Sequence, residues 1–313
     1  MTNPHGPADR GEETDGPVLR IATRSSPLAL WQATHVAGLL ATAWPGVGVE
    51  VVPVDTEGDR RLDVPISSFG GKGVFAKEVQ AAVLDGRADL AVHSAKDLPA
   101  VTVEGLRLAA VPLRGDTRDA LVGATLDALA PGATVATGSQ RRRAQLRALR
   151  PDLDFVELRG NMATRLTRIP SGGAIVVAAV ALERLGLADR ITEVLPVERM
   201  VPQVAQGALA VECRADDVAV GAMVRVIEHA ESRRRVDAER AFLAELGGDC
   251  DLPAGAHALL GGDPLTGPLT LTGVLADSGD PGARLVTGTE VGTDPVVVGA
   301  SLARRLRQEL AEP

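Results

Sequence analysis

LRIATRSSPLAL, residues 19–30, decides how the first half of this chain folds. The run LRIAT (19–23) has the length and character of a short buried strand. Helix start signals follow at once: Ser26 as N-cap, Pro27 at the first helical position, and apolar positions through Leu28, Trp31 and Leu39. Working outward, Pro45-Gly46 ends that helix, VEVVPV (49–54) reads as a strand, residues 74–85 as a helix closed by Gly86, and ADLAVH (88–93) as another strand. A β-α-β-α-β rhythm predicts an α/β unit with a largely parallel sheet.

A second α/β series follows. ATVAT (133–137) and DFVEL (154–158) read as strands around a helix at about 140–149, and AIVVAAVA (174–181) as a continuous apolar central strand. After the apolar run ALAVEC (208–213), residues 237–246 read as helix and LTLTGVLA (269–276) as strand. Leu302, Leu306 and Leu310 stripe a last helix. The end of the chain is therefore α+β in pattern.

At 313 residues the chain exceeds one ordinary core, and 45% hydrophobic with 24% charged residues is a globular composition. No 18-residue apolar run occurs, so no membrane span is expected. Residues 1–16 lack an apolar signal core and read as a disordered tail, which points to the cytoplasm. A net charge of −8 and six aromatics without a tyrosine argue against nucleic-acid binding. Cys213 and Cys250 have no ligand spacing, so no metal is expected.

Charge is unevenly spread. Residues 140–168 hold eight arginines (141, 142, 143, 147, 150, 159, 165, 168) and three acids (152, 154, 157), which suggests a small polyanion as ligand. In TGSQRRRAQLRAL (137–149), Arg141, Arg142 and Arg143 fall in the first turn of a helix with Ser139 as N-cap. The helix dipole disfavours cations there by about 0.3–1 kcal/mol each unless an anion joins them. A solvated arginine face would give the same pattern. RGNMATR (159–165) adds Arg159 and Arg165 in a loop.

HSAKDLP (93–99) puts Lys96 and Asp97 just beyond a strand end, where open α/β sheets place ligands. Position alone favours a plain surface turn before Pro99. The chemical alternative is a carboxylate that steadies a developing cation or moves protons, with Lys96 beside it. His93 reads as a satisfied strand-end residue. The only lysines are Lys72, Lys77 and Lys96, and Lys72 lies in a glycine-rich segment, GGKG (70–73), able to close over a ligand. Arg24 and Ser26 sit at another anion-friendly strand end, though Ser26 serves equally as a cap. Cys213 reads as a small buried hydrophobe. Cys250 lies between Asp249 and Asp251, poor neighbours for a thiolate.

Taken together, RIATRSSPLALWQA (20–33), GGKGVFAKE (70–78), RADLAVHSAKDLP (87–99), the Ser-x-Arg-Arg of 139–142, LRGNMATRL (158–166), AQGALAVECR (205–214) and GGDCDLPAG (247–255) resemble the porphobilinogen deaminase (hydroxymethylbilane synthase) family from about Leu19 to the C-terminus. The resemblance implies an α/β fold: two periplasmic-binding-protein-like α/β domains plus a small C-terminal α+β domain. It divides the chain into a tail (1–16), a discontinuous first domain (17–112 and 208–226), a second (118–201) and a third (231–313). It implies a monomer that condenses four porphobilinogen molecules head to tail with loss of ammonia, on a dipyrromethane cofactor held by a thioether to Cys250.

Position by position, the resemblance makes Asp97 the catalytic carboxylate. Arg141, Arg142, Lys96 and Ser139 become cofactor contacts, and Arg24, Ser26, Arg159, Arg165, Arg184, Lys72 and Gln206 substrate contacts. The chain departs from common family residues at Ala95, Ala205, Asp249 and Gly172-Gly173, none of which removes a charge from this set. A binding protein without catalysis would use the same two lobes, but has no evident need of Cys250.

Overall fold

The computed structural model describes residues 17–56, 76–247 and 252–312. β1 (Val18–Arg24) runs into α1 (Pro27–Ala43), whose N-cap Ser26 accepts a hydrogen bond from Ala29 N. The buried face of α1 is Ala29, Gln32, Ala33, Val36 and Leu40, not the expected Leu28–Trp31–Leu39 line. One helical step is about 100°, and the small side chains of Ala29 and Ala33 let the helix lie close on the sheet while Trp31 turns outward. The first unit continues with β2 (Gly48–Val54), α2 (Lys77–Leu84), β3 (Leu90–Ser94), a single 3₁₀ turn at Ala95–Asp97, and β4 (Leu106–Ala110).

The second unit contains β5 (Asp119–Val122), β6 (Thr134–Ala136), α3 (Gln140–Leu149), β7 (Asp154–Val156), α4 (Met162–Leu166), β8 (Ala174–Ala178), α5 (Ala179–Arg184) and β9 (Glu193–Leu195). The apolar run at 174–181 is thus half strand and half helix. Its residues are buried throughout, and a run apolar on every side carries no period to tell the two apart.

The chain then returns through β10 (Leu209–Arg214) and α6 (Val218–Val224), and ends in α7 (Ala230–Glu245), β11 (Ala254–Leu260), β12 (Leu269–Ala276), β13 (Leu285–Gly292) and α8 (Pro295–Ala311). Helix α7 begins seven residues before the expected Asp237, because His229 caps it by accepting from Ser232 N ahead of the polar run ESRRR.

Strand order makes two sheets of one design: β2-β1-β3-β10-β4 and β7-β6-β8-β5-β9. In each, the fourth strand is antiparallel to both neighbours: β10 in the first sheet, β5 in the second. The chain accordingly crosses between the sheets twice, at 111–118 and 196–208. The third sheet is the antiparallel meander β11-β12-β13. It packs on α7 and α8 through Phe242, Leu271, Leu302 and Leu306, and the two helices approach so closely that a Cβ on Gly299 would lie 2.3 Å from Ala238 O. That core is continuous with Ala95 and Leu98 beyond β3 and with Val111 and Ala205 of the two crossings. Among the described residues no helix is long and apolar enough to cross a membrane.

Candidate active site

The site forms where the C-terminal ends of β1 and β3 meet the second unit. The 3₁₀ turn follows β3 without a break, and Ala95 N donates to Ala208 O, pinning the turn to the second crossing. Asp97 thereby opens onto a cavity of about 40 Å³ that Arg24, Ser26, Gln32 and Ser94 also line. Gln32 Nε2 donates to Ser94 Oγ at 2.8 Å. His93 behaves as a buried structural residue: its Nε2 lies 3.1 Å from Glu212 Oε2, close enough for an ion pair but not aligned as a hydrogen bond. Burial alone would raise the Glu212 carboxyl; the adjoining His93 imidazole and a hydrogen bond from Gln80 hold it below the usual range.

From the second unit, Arg165 feels the charges of Arg142, Arg159, Arg24 and Asp97. Burial, then the charge of Arg142, brings the Arg165 guanidinium down to about 10; Arg159 and Arg24 add to this and Asp97 opposes it. Arg165 Nε donates to Gly160 O at 2.8 Å, and Gly160 sits at φ +106°, where a Cβ would strike Thr164. Among the described residues, Nη1 of Arg159 is buried without a hydrogen-bond partner. Lys96 is brought down to about 8, first by burial and then by Arg142, against the pull of Asp97 and Asp119.

Ser139 caps α3 by accepting from Arg142 N, as its position predicts. The anion among the first-turn arginines belongs to the chain itself. Asp119, wholly buried at the head of β5, accepts from Arg141 Nη2 at 2.8 Å and from Arg142 Nη2 at 2.7 Å. Burial alone would raise its carboxyl; the two guanidinium groups and hydrogen bonds from Arg142 and Gln206 hold it far below the carboxylate range. Sequence reading passed over Asp119, although a lone acid heading the apolar strand DALV is a signal that could have found it.

Gln206 lies in the second crossing. It is fully buried, its Nε2 donating to Thr117 O and Asp119 Oδ1 while its Oε1 accepts from Lys96 Nζ at 3.2 Å. With its amide committed in this way it braces Lys96. Arg184 joins α5 to α1: Nη2 donates to Gly207 O at 2.7 Å, and the guanidinium lies 5.4 Å over the Trp31 ring. Burial brings Arg184 down to about 10. Half of the arginine-rich stretch is structural: Arg143 pairs with Glu157, Arg147 stacks on Phe155, Arg150 pairs with Asp152, and Arg168 donates to Arg159 O. Cys213 is buried as expected. Lys72 and Cys250 lie outside the described residues.

Comparison with known proteins bears on the whole chain. The family described as porphobilinogen deaminase, dipyromethane cofactor binding domain, matches residues 19–222, and porphobilinogen deaminase, C-terminal domain, matches residues 233–308. A porphobilinogen deaminase of Nitratidesulfovibrio vulgaris (strain DSM 19637 / Miyazaki F) is 46% identical over 298 residues, covering 94% of this chain and 92% of its own. One from Acidithiobacillus ferrooxidans (strain ATCC 53993 / BNL-5-31) is 44% identical over 293 residues, covering 92% and 94%. Among solved structures, the methionine binding protein MetQ covers 67% of this chain and 89% of its own at TM-score 0.43 and 13% identity. A TRAP periplasmic solute binding protein from Desulfovibrio salexigens DSM2638 covers 68% and 72% at TM-score 0.41 and 13% identity. By sequence over nearly its whole length, the chain belongs to the porphobilinogen deaminase family of enzymes.

Proposed function

We propose that the protein condenses four porphobilinogen molecules head to tail, releasing ammonia at each addition and yielding linear hydroxymethylbilane, on a dipyrromethane primer tethered through a thioether to Cys250. The observation that carries this reading is the surplus of positive charge around Asp97. Arg24, Lys96, Arg142, Arg159 and Arg165 share one electrostatic neighbourhood with Asp97 and Asp119. Each porphobilinogen brings an acetate and a propionate, and a growing chain of pyrroles needs many guanidinium forks.

The residues fit the primer. Among the described residues Arg141 Nε and Arg159 Nη1 are buried donors without a hydrogen-bond partner, a costly arrangement that an anionic group would relieve. Arg141 also packs against Gly255, three residues past the described residue Leu252 that follows the cysteine loop. In this reading Arg141, Arg142, Lys96 and Ser139 hold the primer's carboxylates, while Arg24, Ser26, Arg159, Arg165 and Arg184, with Lys72, hold those of the substrate. When bound, the dipyrromethane supplies the pyrrole carbon at which the chain is extended. Asp97 stabilises the positive charge that loss of ammonia leaves on the substrate, and accepts the proton set free when the new carbon–carbon bond forms.

The units in this reading are 17–112 with 208–226, 118–201, and 231–313. One chain carries every group named, so the working form is a monomer, acting in the cytoplasm. Intact-mass measurement tests the proposal: protein from cells that make porphobilinogen carries an adduct of two pyrrole units mapping to Cys250. An unmodified mass from such cells would overturn it.

A further inference from the structure

We propose that Asp119 is a positioning residue for this reaction, a buried carboxylate that aims the Arg141 and Arg142 forks and ties them through Gln206 to the loop bearing Lys96 and Asp97. The inference rests on the function proposed above and adds to it a residue that meets neither substrate nor primer.

Helix geometry sets the problem. Arg141 and Arg142 are consecutive in the first turn of α3, so their side chains leave the helix about 100° apart and do not naturally face one target. Both nevertheless reach one carboxylate: Arg141 Nη2 takes Oδ2, while Arg142 Nε and Nη2 take Oδ1 at 3.1 and 2.7 Å. Two backbone carbonyls complete the aim, Val201 O for Arg141 Nη1 and Val176 O for Arg142 Nη1. With Gln206 Nε2 added, Asp119 accepts four hydrogen bonds, three of them at Oδ1, so its charge is met by donors of the chain itself. The arginines are not exhausted. Of five N–H groups each, Arg142 commits three and Arg141 two within the described residues.

The tie crosses the molecule. Asp119 belongs to the second sheet, Gln206 to the second crossing, and Lys96 to the turn after β3 of the first sheet. A single amide, with its oxygen toward the ammonium and its nitrogen toward the carboxylate, thus relates the arginines of one unit to the catalytic turn of the other.

The experiment compares wild-type protein, Asp119→Asn and Gln206→Leu. Each purified, primer-free protein is incubated with porphobilinogen, the two-pyrrole adduct is followed by intact mass, and folding is monitored by circular dichroism and thermal melting. Asp119→Asn keeps the side-chain shape, and its loading rate is expected to fall about tenfold or more, in line with removal of an orienting outer-shell partner. Gln206→Leu leaves the arginines paired; there the expected change is in the rate at which an acylating reagent modifies Lys96, read by peptide mass. Folded Asp119→Asn that loads at the wild-type rate overturns the positioning role. Should that variant not fold, Gln206→Leu with unaltered Lys96 reactivity overturns the tie. Wild-type protein that never loads would instead strike at the proposed function, so the two failures are distinct.

Discussion

Two buried ion clusters, built from the same groups, differ in how their charges balance. Arg114 and Glu239 form a bidentate pair, 2.8 Å on each arm, between the first crossing and α7. Glu239 also accepts from Ala205 N and Ala258 N, and Arg114 Nε gives its hydrogen bond to Gln206 O. One cation meets one anion with their hydrogen-bonding groups engaged, and the pair binds both crossings to the third unit. At the head of α3, two guanidinium groups share the single carboxylate of Asp119, with Lys96 near by. A buried cluster with equal charges is complete as structure. One with surplus cations and unused donors has room for an anion from outside, and the proposed function assigns the primer's carboxylates to the second cluster.

Breaking the balanced pair gives the largest expected effect. Glu239→Gln leaves Arg114 buried without its counter-charge, which costs about 3–5 kcal/mol of stability by chemical denaturation. Such a loss should not alter primer loading of the protein that remains folded. A change below about 1 kcal/mol would erase the distinction between the clusters.

The surplus cluster responds to pH instead. Lys96 titrates at about 8, lowered by burial and then by Arg142, against an unfolded value of 10.5. Below about pH 8 it is charged in both states. Between 8 and 10.5 the unfolded chain binds more protons, so this residue favours folding as pH rises through that window. Anion binding moves the other way, because the ammonium disappears: primer loading is expected to slow above pH 8 in wild-type protein. Lys96→Arg keeps its charge and should flatten that limb, and superimposable loading-rate profiles would remove Lys96 from the primer contacts.

The smallest effect concerns the balanced pair's backbone partner. Ala205 sits at φ 59°, a conformation costing a residue with a Cβ about 1–2 kcal/mol. Ala205→Gly relieves that strain but frees the unfolded chain by about 0.5–1 kcal/mol. A net stabilisation of about 0.5–1 kcal/mol is expected from denaturation midpoints, and a loss of stability would show that the strain is not borne there.

Legibility followed the range of the interactions. The boundaries of α3 could be read because Ser139 and its helix partner are neighbours in the chain, and Lys96 with Asp97 could be placed because they directly follow a buried strand. The break between β8 and α5 could not, since an unbroken apolar run has no period. The role of Asp119 was hidden for another reason: its place at the strand head is visible, but its partners lie 22, 23 and 87 residues away. Gln206, likewise, has a partner that sequence separation hides, since Lys96 lies 110 residues away.

By itself the amino-acid sequence determined the α/β rhythm, the caps, the family motifs, and an inventory rich in arginine with one well-placed carboxylate. Tertiary structure alone decided which of those charges share a site. Coulomb energies depend on separation and burial, and both come from a strand order that twice carries the chain between two sheets. That crossing brings Asp119, Gln206 and Lys96 together, and sends Arg143, Arg147 and Arg150 to other partners.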